Sequence, residues 1–281
     1  MRPERRAYGS TVIVKKSHDA RMGSVRGRAL LDLVRHRFGW TARGGFDTKQ
    51  FWEHTYGKSG GVLPHEWALP PAALLKYAFA DASPHRQTTR GRATTSLEVD
   101  CPLSMKTLVL GGGTSALAQM LKDAGWADVA ALDFSEVAVS RGKEVEPDVN
   151  WSLGDARTLD EVYDEGSFGS VVDKGTIDAI YLSADAEYAA DVGKVAAGVA
   201  RLLQPRGAFL VVSLSAPEYM WPLLQNGAWD VTQSEVRRLD GAFLYVLRRG
   251  RRPRGASVAS GFMPVGVADA GRIPPRGRYM I

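Results

Sequence analysis

The chain settles into a regular rhythm near residue 105. Short apolar runs then alternate with amphipathic stretches: MKTLVL (105–110), SALAQMLKDAG (115–125), ADVAALD (127–133), SEVAVSRGKEV (135–145), VNWSL (149–153), FGSVVD (168–173), AADVGKVAAGVARLL (189–203) and GAFLVVSLS (207–215). The apolar runs read as strands and the amphipathic stretches as helices. Alternating β and α elements predict an α/β fold, a mostly parallel sheet with helices on both faces. Two further strand-like segments, 229–239 and 242–250, flank Asp240-Gly241. A two-residue Asp-Gly turn joins antiparallel neighbours, so the sheet should end in a C-terminal hairpin.

Ahead of this region, FDTKQFWEHTYG (46–57) reads as a helix capped by Asp47 or Thr48, and PPAALLKYAFADA (70–82) as a second helix opened by proline. ALLDLVRHRF (29–38) has the period of a short amphipathic helix, and a polar connection spans 85–100. The chain divides into a basic arm (1–44), a folded domain (45–250) and an Arg/Gly/Pro-rich tail (251–281) that reads as disordered.

Charge sharpens this division. The net charge of +5 suggests nucleic-acid binding until it is apportioned. Residues 1–50 hold 12 Lys/Arg against 4 Asp/Glu, and residues 248–281 hold 8 Arg against 1 Asp. The stretch between is acidic, with 16 basic and 26 acidic residues. The arms read as solvated tails, with organelle targeting of the N-terminus or weak docking on RNA or an acidic partner as the functional alternatives. One cysteine, Cys101, among 281 residues excludes a disulfide scaffold, and the five histidines lack metal-ligand spacing. With no apolar run near ~20 residues, the expectation is a cytoplasmic chain, monomeric by default, with no membrane and no metal.

Candidate chemistry sits in the loops after the strands, where doubly wound sheets bind ligands. The first strand runs into Gly111-Gly112-Gly113 before a helix, and Gly111, Gly113 and Ala116 satisfy a G-x-G-x-x-A turn. NAD enzymes and S-adenosylmethionine (SAM) enzymes share that turn. Asp133 ends the second strand, 22 residues after Gly111, where a carboxylate accepts from both ribose hydroxyls of an adenosine; capping of the following helix is its alternative role. Asp155, after the third strand, can accept from an adenine amino group while Ala156 contacts the ring edge, or it can cap a turn. Two acids in succession favour SAM over NAD.

After the fourth strand the residues cease to be generic. Asp173-Lys174-Gly175-Thr176-Ile177-Asp178-Ala179 resembles the signature of the methyltransferase-like 13 family, class I seven-strand (Rossmann-like) SAM-dependent methyltransferases that include elongation factor 1A lysine methyltransferases. The glycine loop is similar to that family's VLGCGNSALS, and FWEHTYGKSGGVLPHEWALP (51–70) to its N-terminal YW…Y…(D/E)W element. The likeness covers about residues 46–250. It implies that Trp52, Tyr56 and Trp67 close over the cofactor, Gly111 touches its methionine part, Asp133 and Phe134 hold ribose and adenine, Asp155 and Ala156 hold the adenine edge, and Lys174 lies beside it. Three departures stand out: Gly112 and Thr114 replace Cys and Asn, and Arg206-Gly207-Ala208 replaces a Gly-Gly turn before the fifth strand.

The resemblance implies a protein-lysine methyltransferase whose acceptor is an elongation factor or similar protein. A lysine must lose its proton before it attacks, and a nearby carboxylate can take it. Asp173 is the first candidate for orienting the amine, with Thr176 and Asp178 behind it; an ion pair with Lys174 or a helix cap is the structural role open to Asp173. A SAM enzyme for a small molecule, an NAD oxidoreductase and a catalytically silent SAM-binding module are the competing readings. No Ser-Tyr-Lys or His-Arg pattern supports hydride transfer.

Overall fold

The computed structural model describes residues 46, 48–58, 66–78, 104–182, 187–225, 228–230, 234–239 and 241–250. The basic arm with its 29–38 helix, the 85–100 connection and the tail lie outside the described residues. Two helices come first, α1 (Lys49–Lys58) and α2 (Pro71–Ala78). Then follow β1 (Thr107–Leu110), α3 (Leu117–Asp123), β2 (Val129–Asp133), α4 (Glu136–Val145), β3 (Asn150–Leu153), a 3-10 turn (Ala156–Glu161), β4 (Phe168–Lys174), α5 (Thr176–Tyr181), α6 (Tyr188–Leu202), β5 (Leu203–Ser213), α7 (Pro217–Leu224), β6 (Glu235–Leu239) and β7 (Ala242–Arg248).

The seven strands form one sheet in the order β3-β2-β1-β4-β5-β7-β6. Strands β1 to β5 pair in parallel, and β7 pairs antiparallel with both β5 and β6. The order reverses at β1, between β2 and β4, which puts the ligand crevice beyond the carboxyl ends of these strands. The hairpin forms as the Asp-Gly turn requires, with Leu239 opposite Ala242 and Gly241 at φ +76°.

Alternation along each strand makes two cores. In β1, Val109 packs with Trp126, Ala131 and Trp151 on one face, while Leu108 and Leu110 pack with Ile177, Val195 and Phe209 on the other. Helix α6 closes the second face by burying Val192, Val195, Ala196 and Val199 at helical spacing.

Several expectations are corrected. The segment 229–239 is a strand only from Glu235, preceded by one bridge between Trp229 and Arg249. Strand β5 starts at Leu203, and Arg206 takes φ +68° where the family has glycine. Helix α7 was not read from the sequence because Pro222 signals a break; burial of Met220, Trp221 and Leu224 holds it together. TIDAIY likewise forms α5, its first turn bonded to Asp173.

Candidate active site

The glycine loop is shaped from both sides. Gly111 and Gly113 adopt φ +60° and +55°, which a side chain would disfavour. Gly112 is required for a different reason: a Cβ there would lie 2.6 Å from the Trp151 ring. The Gly112 N–H donates to the Leu132 carbonyl at 2.9 Å and ties the loop to β2.

Asp133 stands beside this loop, 5% exposed. Its Oδ2 accepts from the Gly113 N–H at 2.8 Å and its Oδ1 from the Ser135 N–H at 2.9 Å. Burial pushes its pKa up to about 6 against the opposing effect of those backbone donors. The cap of α4 is Ser135, whose Oγ accepts from Ala138 N–H at 3.1 Å. Each Asp133 oxygen keeps a lone pair to offer.

Asp155 caps the 3-10 turn and is gripped by Arg157. Its Oδ1 accepts from the Arg157 backbone N–H at 2.8 Å and from Nε at 2.9 Å, and its Oδ2 accepts from Nη2 at 2.6 Å. Arg157 also reaches Asp191 at the start of α6, at 3.3 Å. The sequence reading did not foresee this neutralisation.

The opposite wall comes from the N-terminal elements. Trp52 and Tyr56 lie one turn apart on α1 with ring centroids 5.3 Å apart, and Trp52 Nε1–H donates to the Phe46 carbonyl at 2.5 Å. Tyr56 rests against Gly113, where a Cβ would come within 2.6 Å of its hydroxyl. Glu53, also on α1, accepts from the Glu136 N–H at 2.6 Å and from the Val137 N–H at 3.3 Å, docking α1 on the positive end of α4. Neither Glu53 nor its role was read from the sequence; a carboxylate one helix away leaves no local signal.

Residues 66–69 complete the wall. Trp67 Nε1–H donates to Asp178 Oδ2 at 2.9 Å, and the ring covers Gly175, where a Cβ would meet it at 2.5 Å. Asp178 is fully buried and also accepts from the Ser213 hydroxyl at 2.5 Å and the Leu214 N–H at 2.8 Å. Its carboxylate is committed to holding Trp67 and the end of β5. Glu66 accepts from Lys174 Nζ at 2.7 Å and from Ser115 Oγ at 2.9 Å.

At the end of β4, Asp173 is completely buried. Its Oδ1 accepts from the N–H groups of Thr176 at 3.1 Å and Ile177 at 3.2 Å, while Oδ2 has no hydrogen-bond partner. Burial, and then the neighbouring Asp178, raise its pKa to about 7. Thr176 Oγ1 donates to the Leu110 carbonyl at 3.1 Å.

These pieces wall a single pocket beyond the carboxyl ends of the strands. Every cofactor candidate named from the sequence lines it, from Trp52, Tyr56 and Trp67 through Gly111, Gly113, Asp133 and Phe134 to Asp155, Ala156 and Lys174. Of the catalytic candidates Thr176 lines it, whereas Asp173 and Asp178 lie behind its wall. Among the described residues no cluster of metal ligands occurs, and no helix is long and apolar enough to cross a membrane.

Comparison with known proteins gives this geometry a chemistry. A family model for a methyltransferase domain matches residues 108–211, the span from β1 to β5. EEF1A lysine methyltransferase 4 of Bos taurus is 29% identical over 228 residues, covering 77% of this chain and 81% of that protein. Its Mus musculus counterpart is 28% identical over 214 residues, covering 72% and 75%. The chain carries a SAM-dependent methyltransferase domain. A shorter match, 33% identity over 114 residues, links this methyltransferase to the eEF1A lysine and N-terminal methyltransferase of Homo sapiens, covering 39% of this chain and 16% of that protein.

The residues of the methyltransferase fit SAM. Positive-φ glycines leave a loop without side chains at the switch point, the buried Asp133 offers acceptors to a diol, and aromatic faces line the same space for a sulfonium cation. No Cβ fits at 112, so the departure from the family's Cys at that place follows from Trp151 and leaves the cradle intact.

Proposed function

We propose that this enzyme methylates a lysine side chain of a protein, and that its acceptor is translation elongation factor 1A. The observation that carries the reading is the match over about three quarters of both chains to proteins named for that reaction. Bound SAM supplies an activated methyl group on a sulfonium whose departure leaves a neutral thioether.

The protein's own residues do the positioning. Asp133 holds the ribose, Phe134 and Ala156 flank the adenine, and Trp52, Tyr56 and Trp67 exclude water from the methionine side. Asp155, already paired with Arg157, offers its remaining lone pairs at the adenine edge. The acceptor amine must arrive neutral, against an unperturbed pKa near ~10.4. Asp173 lies behind the cavity wall and acts by holding the Thr176 and Ile177 N–H groups that shape that wall, rather than by meeting the amine. Thr176 shapes the cavity floor beside it. A cytoplasmic location accords with such a substrate, and the basic arms suit an acidic or RNA-bearing partner.

The test is transfer of labelled methyl to purified elongation factor 1A and to a low-mass extract. Label on a lysine of the factor, abolished by Asp133→Ala, is the expected result. Label confined to low-mass molecules sinks the protein-acceptor reading and leaves a small-molecule methyltransferase.

A further inference from the structure

We propose that Glu66 is a positioning residue that holds Lys174 as an ammonium at the amino-acid end of the cofactor cavity. The inference rests on the cavity reading given above and concerns the acidic residue of the (D/E)W element, to which the sequence analysis assigned no role.

Three separate stretches of chain meet at Glu66. Its Oε2 accepts from Lys174 Nζ at 2.7 Å, Ser115 Oγ lies 3.1 Å from Oε1 and 2.9 Å from Oε2, and the Ala116 N–H lies 3.4 Å from Oε1. Lys174 also donates to the Trp67 carbonyl at 3.2 Å. The Lys174 side chain is only 4% exposed. An ammonium so placed has lost its water and needs a counter-charge. Burial lowers the Lys174 pKa, and Glu66 opposes that fall more strongly than Asp173.

The other charged or titratable groups around this end are poor substitutes. Asp173 is itself raised to about 7, and Asp178 is committed to Trp67, Ser213 and Leu214. Asp133 faces the ribose end, and Tyr56 is pushed well above its usual value by burial and by Asp133. Lys174 lines the cavity beside Gly111 and Ser115, whereas Glu66 stands outside the lining, so Glu66 acts through Lys174. An ammonium fixed there attracts the carboxylate of the cofactor's amino-acid end; a neutral amine does not.

The same contacts seat the tryptophan segment. Ala68 holds φ +60°, unusual for a residue with a side chain, and the Leu69 N–H closes on the Trp67 carbonyl at 2.7 Å. Lys174 bonds to that same carbonyl.

The test is calorimetry of the full chain with S-adenosylhomocysteine and with 5′-methylthioadenosine, which lacks the amino-acid end, at pH 6.5 and 8.5. Glu66→Gln should bind S-adenosylhomocysteine about tenfold more weakly at pH 8.5 than at pH 6.5, as the unsupported Lys174 loses its proton. Wild type should change little over that range, and 5′-methylthioadenosine should bind alike in both proteins at both pH values. Equal weakening of both ligands, a loss independent of pH, or no change in Glu66→Gln overturns the proposal. Wild type that fails to bind S-adenosylhomocysteine removes the cavity reading and this inference together.

Discussion

The two ends of the cavity are built in opposite ways. At the ends of β2 and β3 each carboxylate has a partner close in sequence, Asp133 in Ser135 alongside the more distant Gly113, and Asp155 in Arg157. At the end of β4 the partners come from afar, with Trp67 meeting Asp178 across 111 residues and Glu66 meeting Lys174 across 108. A site can thus have one wall that each loop builds for itself and another that exists only after the whole chain has folded. Damage should differ accordingly, costing affinity at the first end and stability at the second.

The largest effect is expected where the long-range contacts converge. Asp178→Ala leaves the Trp67 indole N–H, the Ser213 hydroxyl and the Leu214 N–H without their acceptor, and should destabilise the fold by about 3 kcal/mol. Denaturant unfolding measures this, and a loss below about 0.5 kcal/mol would refute the idea that this carboxylate anchors the distant wall. Next comes Asp133→Asn, at the locally built end. It should weaken S-adenosylhomocysteine by roughly 30-fold, about 2 kcal/mol, and cost less stability than Asp178→Ala, because one of its two backbone donors keeps an acceptor. Equal losses of stability in the two variants would erase the contrast between the ends.

Acidity offers a finer cut. Asp133 titrates at about 6, above its ordinary value, and the ribose hydroxyls favour the ionised form. Affinity for 5′-methylthioadenosine should therefore be full above that value and fall as pH drops through it, by about tenfold per unit well below. Calorimetry between pH 7.5 and 5 reads this slope, and a flat profile would mean that the carboxylate does not meet the ribose. The smallest effect lies away from the cavity. Arg206 holds a left-handed backbone that glycine adopts freely, so Arg206→Gly should stabilise by about 0.5 kcal/mol, the relief of strain being partly offset by a more flexible unfolded chain.

The same contrast decides what could be read in advance. The strands, the hairpin, the glycine turn and Asp133 follow from period and spacing, because each is determined within a few residues. Glu53 and Ser213 carry no such signal: a Glu on a helix and a Ser at a strand end are ordinary residues until the fold brings their partners, and the acid of the (D/E)W element, Glu66, gives no local hint that Lys174 is its partner. Arg157 is an intermediate case. It sits two residues from Asp155, yet only the bend after β3 turns its fork onto that carboxylate. The DKGTIDA segment was legible as a resemblance, but burial is what separates its acids, leaving Asp173 with an unpaired oxygen and Asp178 with none.

The docking of α1 has a consequence for what counts as the unit of inheritance. The stretch recognisable as a methyltransferase domain, 108–211, holds five strands and the glycine loop. Its cavity, however, is walled by Trp52, Tyr56 and Trp67, and the start of α4 is closed by Glu53. A lineage that exchanged the segment before β1 would carry the same cofactor cradle beneath a different roof. Reaction type and acceptor choice could then diverge along separate parts of one gene.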